Sequence, residues 1–198
     1  MKRRSGPRLM RRAAVRTLLA ERGECLVVTG LGTAGYDAFS AGDHDGNFYL
    51  WGAMGGAPLV GLGLALAQPR RPVLVLTGDG EQLMGLGSLA TIAVSKPANL
   101  SLVVLDNGQY GETGNQASHT GLGLDLSAMA KAAGFAKVSR IEDAADLAEL
   151  GAAIAKASGG PRFATILISP ESPERALPAR DGVYLKNRFR AHLGLPVA

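Results

Sequence analysis

Two uninterrupted apolar runs, Val73-Leu74-Val75-Leu76 and Leu102-Val103-Val104-Leu105, constrain this chain more than any other feature. A strand with one wet face alternates apolar and polar residues. A strand without alternation needs cover on both faces, as in a parallel sheet. Shorter apolar runs recur at residues 25–29, 48–51, 136–139 and 163–169. Helix-like stretches separate them, at 8–22, 33–40, 56–68, 81–95, 125–134, 142–157 and 184–193. Pro69 stops the stretch at 56–68, and Gly159-Gly160-Pro161 stops the one at 142–157. Strands alternating with helices predict an α/β fold: a doubly wound, mostly parallel sheet with helices on both faces. At 198 residues the chain suits one domain, with a basic tail at 1–7 and a Pro- and charge-rich C-terminal segment from 170 onward that wraps the surface.

Composition narrows the class. Hydrophobic residues make up 46%, which marks a globular chain, and the 27 glycines favour tight turns and close packing. The single cysteine, Cys25, sits in the apolar stretch Cys25-Leu26-Val27-Val28 and reads as a buried thiol. No intrachain disulfide is possible, which fits a cytoplasmic protein. Six of the first twelve residues are basic, but Arg16, Glu21 and Arg22 interrupt the stretch after them, so the segment is not a signal peptide. It reads as a tail leading into a solvated helix face. No aromatics are interleaved with those charges, which argues against nucleic-acid binding, and no stretch reaches membrane-spanning length.

The chemistry lies at the strand ends. Gly78-Asp79-Gly80 comes directly after the run at 73–77, and Asp106-Asn107-Gly108 after the run ending at Leu105. In doubly wound sheets ligands bind at the carboxyl ends of the strands. Asp79 and Asn107 offer a carboxylate and an amide oxygen, hard donors that can share an octahedral Mg²⁺ while leaving positions for phosphate or water. Gly78, Gly80 and Glu81 open the following helix, where free N–H groups favour a diphosphate. A Gly-x-x-x-x-Gly-Lys-Ser/Thr loop is absent, which argues against a nucleoside triphosphatase. Gly30-Leu31-Gly32-Thr33-Ala34-Gly35 has dinucleotide-fingerprint spacing, but no acid ends a strand about 20 residues later, so it reads as a chance match or a phosphate-side loop.

From these residues the chain resembles the diphosphate-binding domain of thiamine diphosphate enzymes, whose signature is Gly-Asp-Gly followed by an Asn-containing turn. The resemblance implies that Mg²⁺ is held by Asp79, the Asn107 side chain and the Gln109 carbonyl. In Leu50-Trp51-Gly52-Ala53-Met54-Gly55-Gly56 it implies that Met54 wedges the cofactor into its bent form and that the Gly52 carbonyl accepts from the aminopyrimidine. A gap-filling core methionine is the plainer alternative. Thr33, Tyr110 and Gly111 join the implied cofactor-binding set. The segments at 85–93 and 110–116 look most like the beta subunit of sulfopyruvate decarboxylase and the matching half of phosphonopyruvate decarboxylase. Glu112 and Trp51 differ from the smaller residues usual there.

The same resemblance implies a thiamine diphosphate- and Mg²⁺-dependent decarboxylase subunit acting on a small anionic 2-oxo acid. A glutamate on a separate pyrimidine-binding domain activates the cofactor in this family, so a hetero-oligomer with a partner subunit is expected. Candidate catalytic groups are Glu112, as a proton relay or else a solvated carboxylate, and His119, read first as a surface residue. His44, Lys186 and Arg188 are weaker candidates for reaching a substrate anion. An acetolactate synthase-like carboligase subunit and a non-catalytic thiamine diphosphate-binding module are the alternatives.

Overall fold

The computed structural model describes residues 8–197; the tail at 1–7 lies outside them. In chain order the elements are α1 (Arg11–Leu19), β1 (Leu26–Thr29), α2 (Thr33–Ser40), β2 (Asn47–Tyr49), α3 (Ala57–Ala67), β3 (Val73–Gly78), α4 (Asp79–Met84), α5 (Ser88–Ser95) and β4 (Leu100–Asp106). A short hairpin comes next, β5 (Gln109–Tyr110) and β6 (Gln116–Ala117). Then come α6 (Leu126–Ala133), β7 (Lys137–Ile141), α7 (Ala144–Ile154), β8 (Arg162–Leu167) and α8 (Gly182–His192).

Six strands form one sheet in the order β2-β1-β3-β4-β8-β7, and every pairing is parallel. Alternate residues of each strand feed two cores. Val27, Leu74, Leu76, Val103 and Ile166 face α1, α2 and α7. Leu26, Val28, Val75, Leu102 and Phe163 face α3, α5 and α6. All ten are essentially inaccessible, which is why the runs carry no polar alternation. Burying one side chain of this size contributes about 1.5–3 kcal/mol. Asn99 closes one seam: its Nδ2 donates to the carbonyls of Ala65, Gln68 and Arg71, at 3.1, 3.0 and 2.8 Å, as α3 ends before Pro69.

The chain runs from β1 outward to β2, then crosses back over β1 to β3. The strand order therefore reverses between β1 and β3, the place where such sheets leave a crevice.

Three readings are corrected. The helix expected over 81–95 is two helices, because Gly85 and Gly55 press backbone against backbone: a Cβ on Gly85 would lie 2.2 Å from the Gly55 carbonyl oxygen. The strand expected at 48–51 is Asn47–Tyr49, so Trp51 leaves the sheet for the strand-end surface. The basic N-terminal helix is not a purely solvated face. Arg11 is 4% exposed and makes a bidentate pair with the buried carboxylate of Asp37, at 2.7 and 3.0 Å.

Candidate functional site

Parallel pairing sets Gly78 opposite Leu105, so Asp79 and Asp106 emerge side by side from β3 and β4. Both are nearly inaccessible, at 2% and 8%. The β5–β6 hairpin folds Ser118 and Thr120 back over them. Ser118 Oγ donates to Asp79 Oδ2. The Thr120 hydroxyl lies 2.9 Å from the same oxygen and 2.7 Å from Asp106 Oδ1. Burial pushes the Asp79 carboxyl up from its ordinary value, and the Asp106 charge adds to the rise. Burial raises Asp106 as well. Ser118 supplies a proton to Asp79 and Thr120 one to Asp106, and burial of the two neighbouring carboxyls disfavours their both being charged without a further partner.

Next along the chain, Asn107 Oδ1 accepts from the Gln109 N–H at 2.9 Å, and Asp106 Oδ1 accepts from the Gly108 N–H at 3.0 Å. Gly108, with φ +73°, makes the turn. The turn brings the Tyr110 ring over Gly80, where no side chain fits. Arg8 caps the turn from outside, donating to the Asn107 carbonyl at 3.0 Å.

Glu81 fills the β1–β3 crevice and is 4% exposed. Thr77 Oγ1 donates to it at 2.7 Å and the Gly55 N–H at 3.4 Å. A Cβ on Gly30 would fall 1.6 Å from Glu81 Oε2. The glycine-rich turn at 30–35 does join β1 to α2, and Gly30 is required there by the Glu81 carboxylate. Glu81 thereby links the turn, β3 and the Met54 loop. Burial raises its pKa, opposed by those hydrogen bonds.

The Met54 loop combines three left-handed residues, Gly52, Ala53 and Gly55, with φ of +108°, +51° and +89°. Left-handed backbone at Ala53 costs about 1–2 kcal/mol. The result is a methionine 38% exposed at the strand ends instead of buried in a core. Thr33 begins α2 beside Gly32. Glu112 reaches the same place from the hairpin: a Cβ on Gly32 would lie 3.0 Å from its Cγ. Glu112 also pairs with Arg175 at 3.2 Å. Gly111 and His119 are exposed.

The structure therefore gathers Gly78, Asp79, Gly80, Glu81, Asn107, Gln109 and Tyr110 around one strand-end hollow. Gly52, Met54, Thr33 and Glu112 stand on its β1 side. Arg188 and His44 sit apart, at the start of β2, where Arg188 pairs with Asp43 at 2.7 Å. Sequence reasoning missed Asp106, Ser118 and Thr120 as a group. The hint was Asp106 itself, a second acid at a second strand end.

Among the described residues no cluster of three or more His, Cys, Asp or Glu can hold a metal. A metal here would draw on carboxylate, amide oxygen and backbone carbonyl, with phosphate completing the shell. The oxygen donor set and the two buried acids at neighbouring strand ends fit a metal-bound diphosphate.

Comparison with known proteins identifies the family. The family described as thiamine pyrophosphate enzyme, C-terminal TPP binding domain, matches residues 30–168. A phosphonopyruvate decarboxylase of Streptomyces viridochromogenes is 40% identical over 98% of this chain, which spans 49% of that protein's length. A sulfopyruvate decarboxylase subunit beta of Methanothermobacter thermautotrophicus is 40% identical over 83% of this chain and 84% of its own. In fold, the chain is similar to benzoylformate decarboxylase from Polynucleobacter necessarius, with a TM-score of 0.66 and 22% identity over 87% of this chain and 35% of that one. The match over residues 30–168 shows that the chain belongs to the thiamine pyrophosphate enzyme family, in its C-terminal TPP binding domain.

Proposed function

We propose that this chain is the diphosphate-binding half of a thiamine diphosphate- and Mg²⁺-dependent decarboxylase acting in the cytoplasm on a small 2-oxo acid with an anionic tail. The observation that carries the reading is the pairing of Asp79 with Asp106 and Asn107 at adjacent strand ends. Asp79, the Asn107 amide oxygen and the Gln109 carbonyl would hold Mg²⁺ when the cofactor binds. Gly78 and Gly80 admit it without a Cβ in the way. Tyr110 and Gly111 wall the hollow, Thr33 flanks it, and Glu81 braces the loop that presents Met54 and the Gly52 carbonyl to the pyrimidine. When bound, the cofactor supplies the electron sink on which a 2-oxo acid loses CO₂, leaving an aldehyde after protonation. Glu112, at the mouth of the hollow, is placed to carry a proton. His119 lies on the exposed hairpin, within reach of a partner.

A pyrimidine-binding partner domain completes the site. An uncharged face supports this part. Residues 46–69 and 82–95 contain no Asp, Glu, Lys or Arg, and Leu59, Val60, Leu66, Met84 and Val94 stand exposed on α3, α4 and α5 at 40–81%. A helix apolar all round belongs in an interior, and this face is continuous with the Met54 loop through the Gly55–Gly85 contact. Co-expression with a pyrimidine-domain chain from an adjacent gene tests the proposal. The two should co-purify and together decarboxylate sulfopyruvate or phosphonopyruvate faster than pyruvate. Full turnover by this chain alone would sink the partner requirement.

A further inference from the structure

We propose that two arginines of the segment between β8 and α8, Arg175 and Arg180, bind the anionic tail of the substrate, and that Glu112 holds Arg175 in reserve until that tail arrives. The proposal rests on the decarboxylase reading and adds residues that reading leaves unassigned.

The segment crosses the strand-end surface on the β1–β2 side. The Trp51 indole N–H anchors it, donating to the Ala179 carbonyl at 2.7 Å. Trp51 in turn packs beside Tyr36, with ring centroids 6.1 Å apart and planes tilted by 45°. Pro178 closes over Gly30, Gly32 and Trp51, leaving a cavity of about 10 Å³. Two cations stand over this floor. The Arg180 guanidinium lies 5.4 Å from the Trp51 ring centroid, and among the described residues it makes no ion pair. Arg175 reaches Glu112, whose own stem rests on Gly32. The segment therefore brings two guanidinium groups to the rim of the hollow, beside the residues that flank the proposed cofactor.

Exposure decides the chemistry of the Arg175 pair. Its side chains are 62% and 37% accessible, and an ion pair in water is weak. A dianionic phosphonate, or a sulfonate with three acceptor oxygens, competes well for an arginine fork. Arg180, held over an indole face, keeps its fork of donors free of any ion pair among the described residues. The incoming tail takes Arg175 from Glu112, and the carboxylate is released at the mouth of the hollow. An uncharged tail has no means of making this exchange, so the arginines set the preference for anionic substrates.

The test is a titration of the full-length chain, with Mg²⁺ and thiamine diphosphate present, using 3-sulfopropionate and, as the uncharged-tail control, butyrate. The wild-type chain should bind 3-sulfopropionate at least about tenfold more tightly than butyrate. Arg175→Gln and Arg180→Gln should each erase most of that difference, and Glu112→Gln should tighten sulfonate binding because the competing carboxylate is gone. Thiamine diphosphate titrated separately into each variant reads the cofactor site independently. Loss of cofactor affinity in the wild-type chain would fault the decarboxylase reading, not this one. Equal affinity for the two acids, sulfonate binding unchanged in either arginine variant, or weaker sulfonate binding in Glu112→Gln would each overturn the proposal.

Discussion

A Cβ added to Gly80 would lie 2.3 Å from the Tyr110 ring, so a neighbouring side chain requires this glycine. Gly80→Ala should destabilise the protein by about 1–3 kcal/mol through overpacking. In a Tyr110→Ala background the same change should cost much less. Chemical denaturation of the four proteins in that cycle measures the coupling directly. Arg11 and Asp37 form a second residue-level tie. Arg11 also donates to the Thr33 carbonyl at 3.3 Å, and its backbone N–H donates to Glu171 at 2.7 Å. It thereby ties α1, the start of α2 and the segment after β8 together. Arg11→Met removes the bidentate partner of the buried Asp37 carboxylate and leaves it only the longer contact to Arg12 at 3.7 Å, at a cost of up to about 3–5 kcal/mol. Arg11→Met combined with Asp37→Leu should restore most of the loss, read as the denaturation midpoint.

Among the elements, α8 and β2 meet in a polar corner that holds a titrating group. The His44 Nδ1 accepts from the Gly46 N–H at 2.9 Å, and its ring meets His192 of α8 edge-on at 5.2 Å. Burial, Arg22 and His192 lower the His44 pKa, while Asp45 and Glu24 oppose them. The folded state therefore prefers neutral His44. That contribution is complete above the ordinary value of 6.5 and is lost as pH falls through the lower folded value. Stability should decline as pH drops below about 6.5, and His44→Asn should flatten the profile over that window, as equilibrium denaturation at stepped pH would record. Element by element, the sequence was legible where burial was two-sided. Val73–Leu76 and Leu102–Leu105 announce central parallel strands because both faces are covered. The break in the helix at 81–95 was not legible, because its cause, the Gly55 carbonyl against Gly85, comes from a loop some 30 residues away in sequence. The β5–β6 hairpin has two-residue strands, half-buried in β5 and exposed in β6, too short for any period to register.

At the scale of the whole molecule, the same distinction separates the visible from the hidden parts of the site. Asp79 and Asn107 were readable because each ends an apolar run. Ser118 and Thr120 reach Asp79 only through the hairpin, 39 and 41 residues along the chain, and no local pattern marks them. Glu81 was readable as a helix-opening acid but not as the filler of the β1–β3 crevice, which depends on strand order. The assembled molecule is a sheet that presents paired buried acids at its strand ends and an uncharged helical face beside them. On the proposed function, that combination is half of an active site. The central claim is that Asp79 binds thiamine diphosphate through a metal, and calorimetric titration of thiamine diphosphate with and without Mg²⁺ tests it most directly. The wild-type chain should bind the cofactor only with Mg²⁺, and Asp79→Ala should weaken that binding by about 100-fold or more, since losing even an outer partner of a metal ligand costs about 10–100-fold. Asp79→Ala protein that kept wild-type affinity and full Mg²⁺ dependence would contradict the claim.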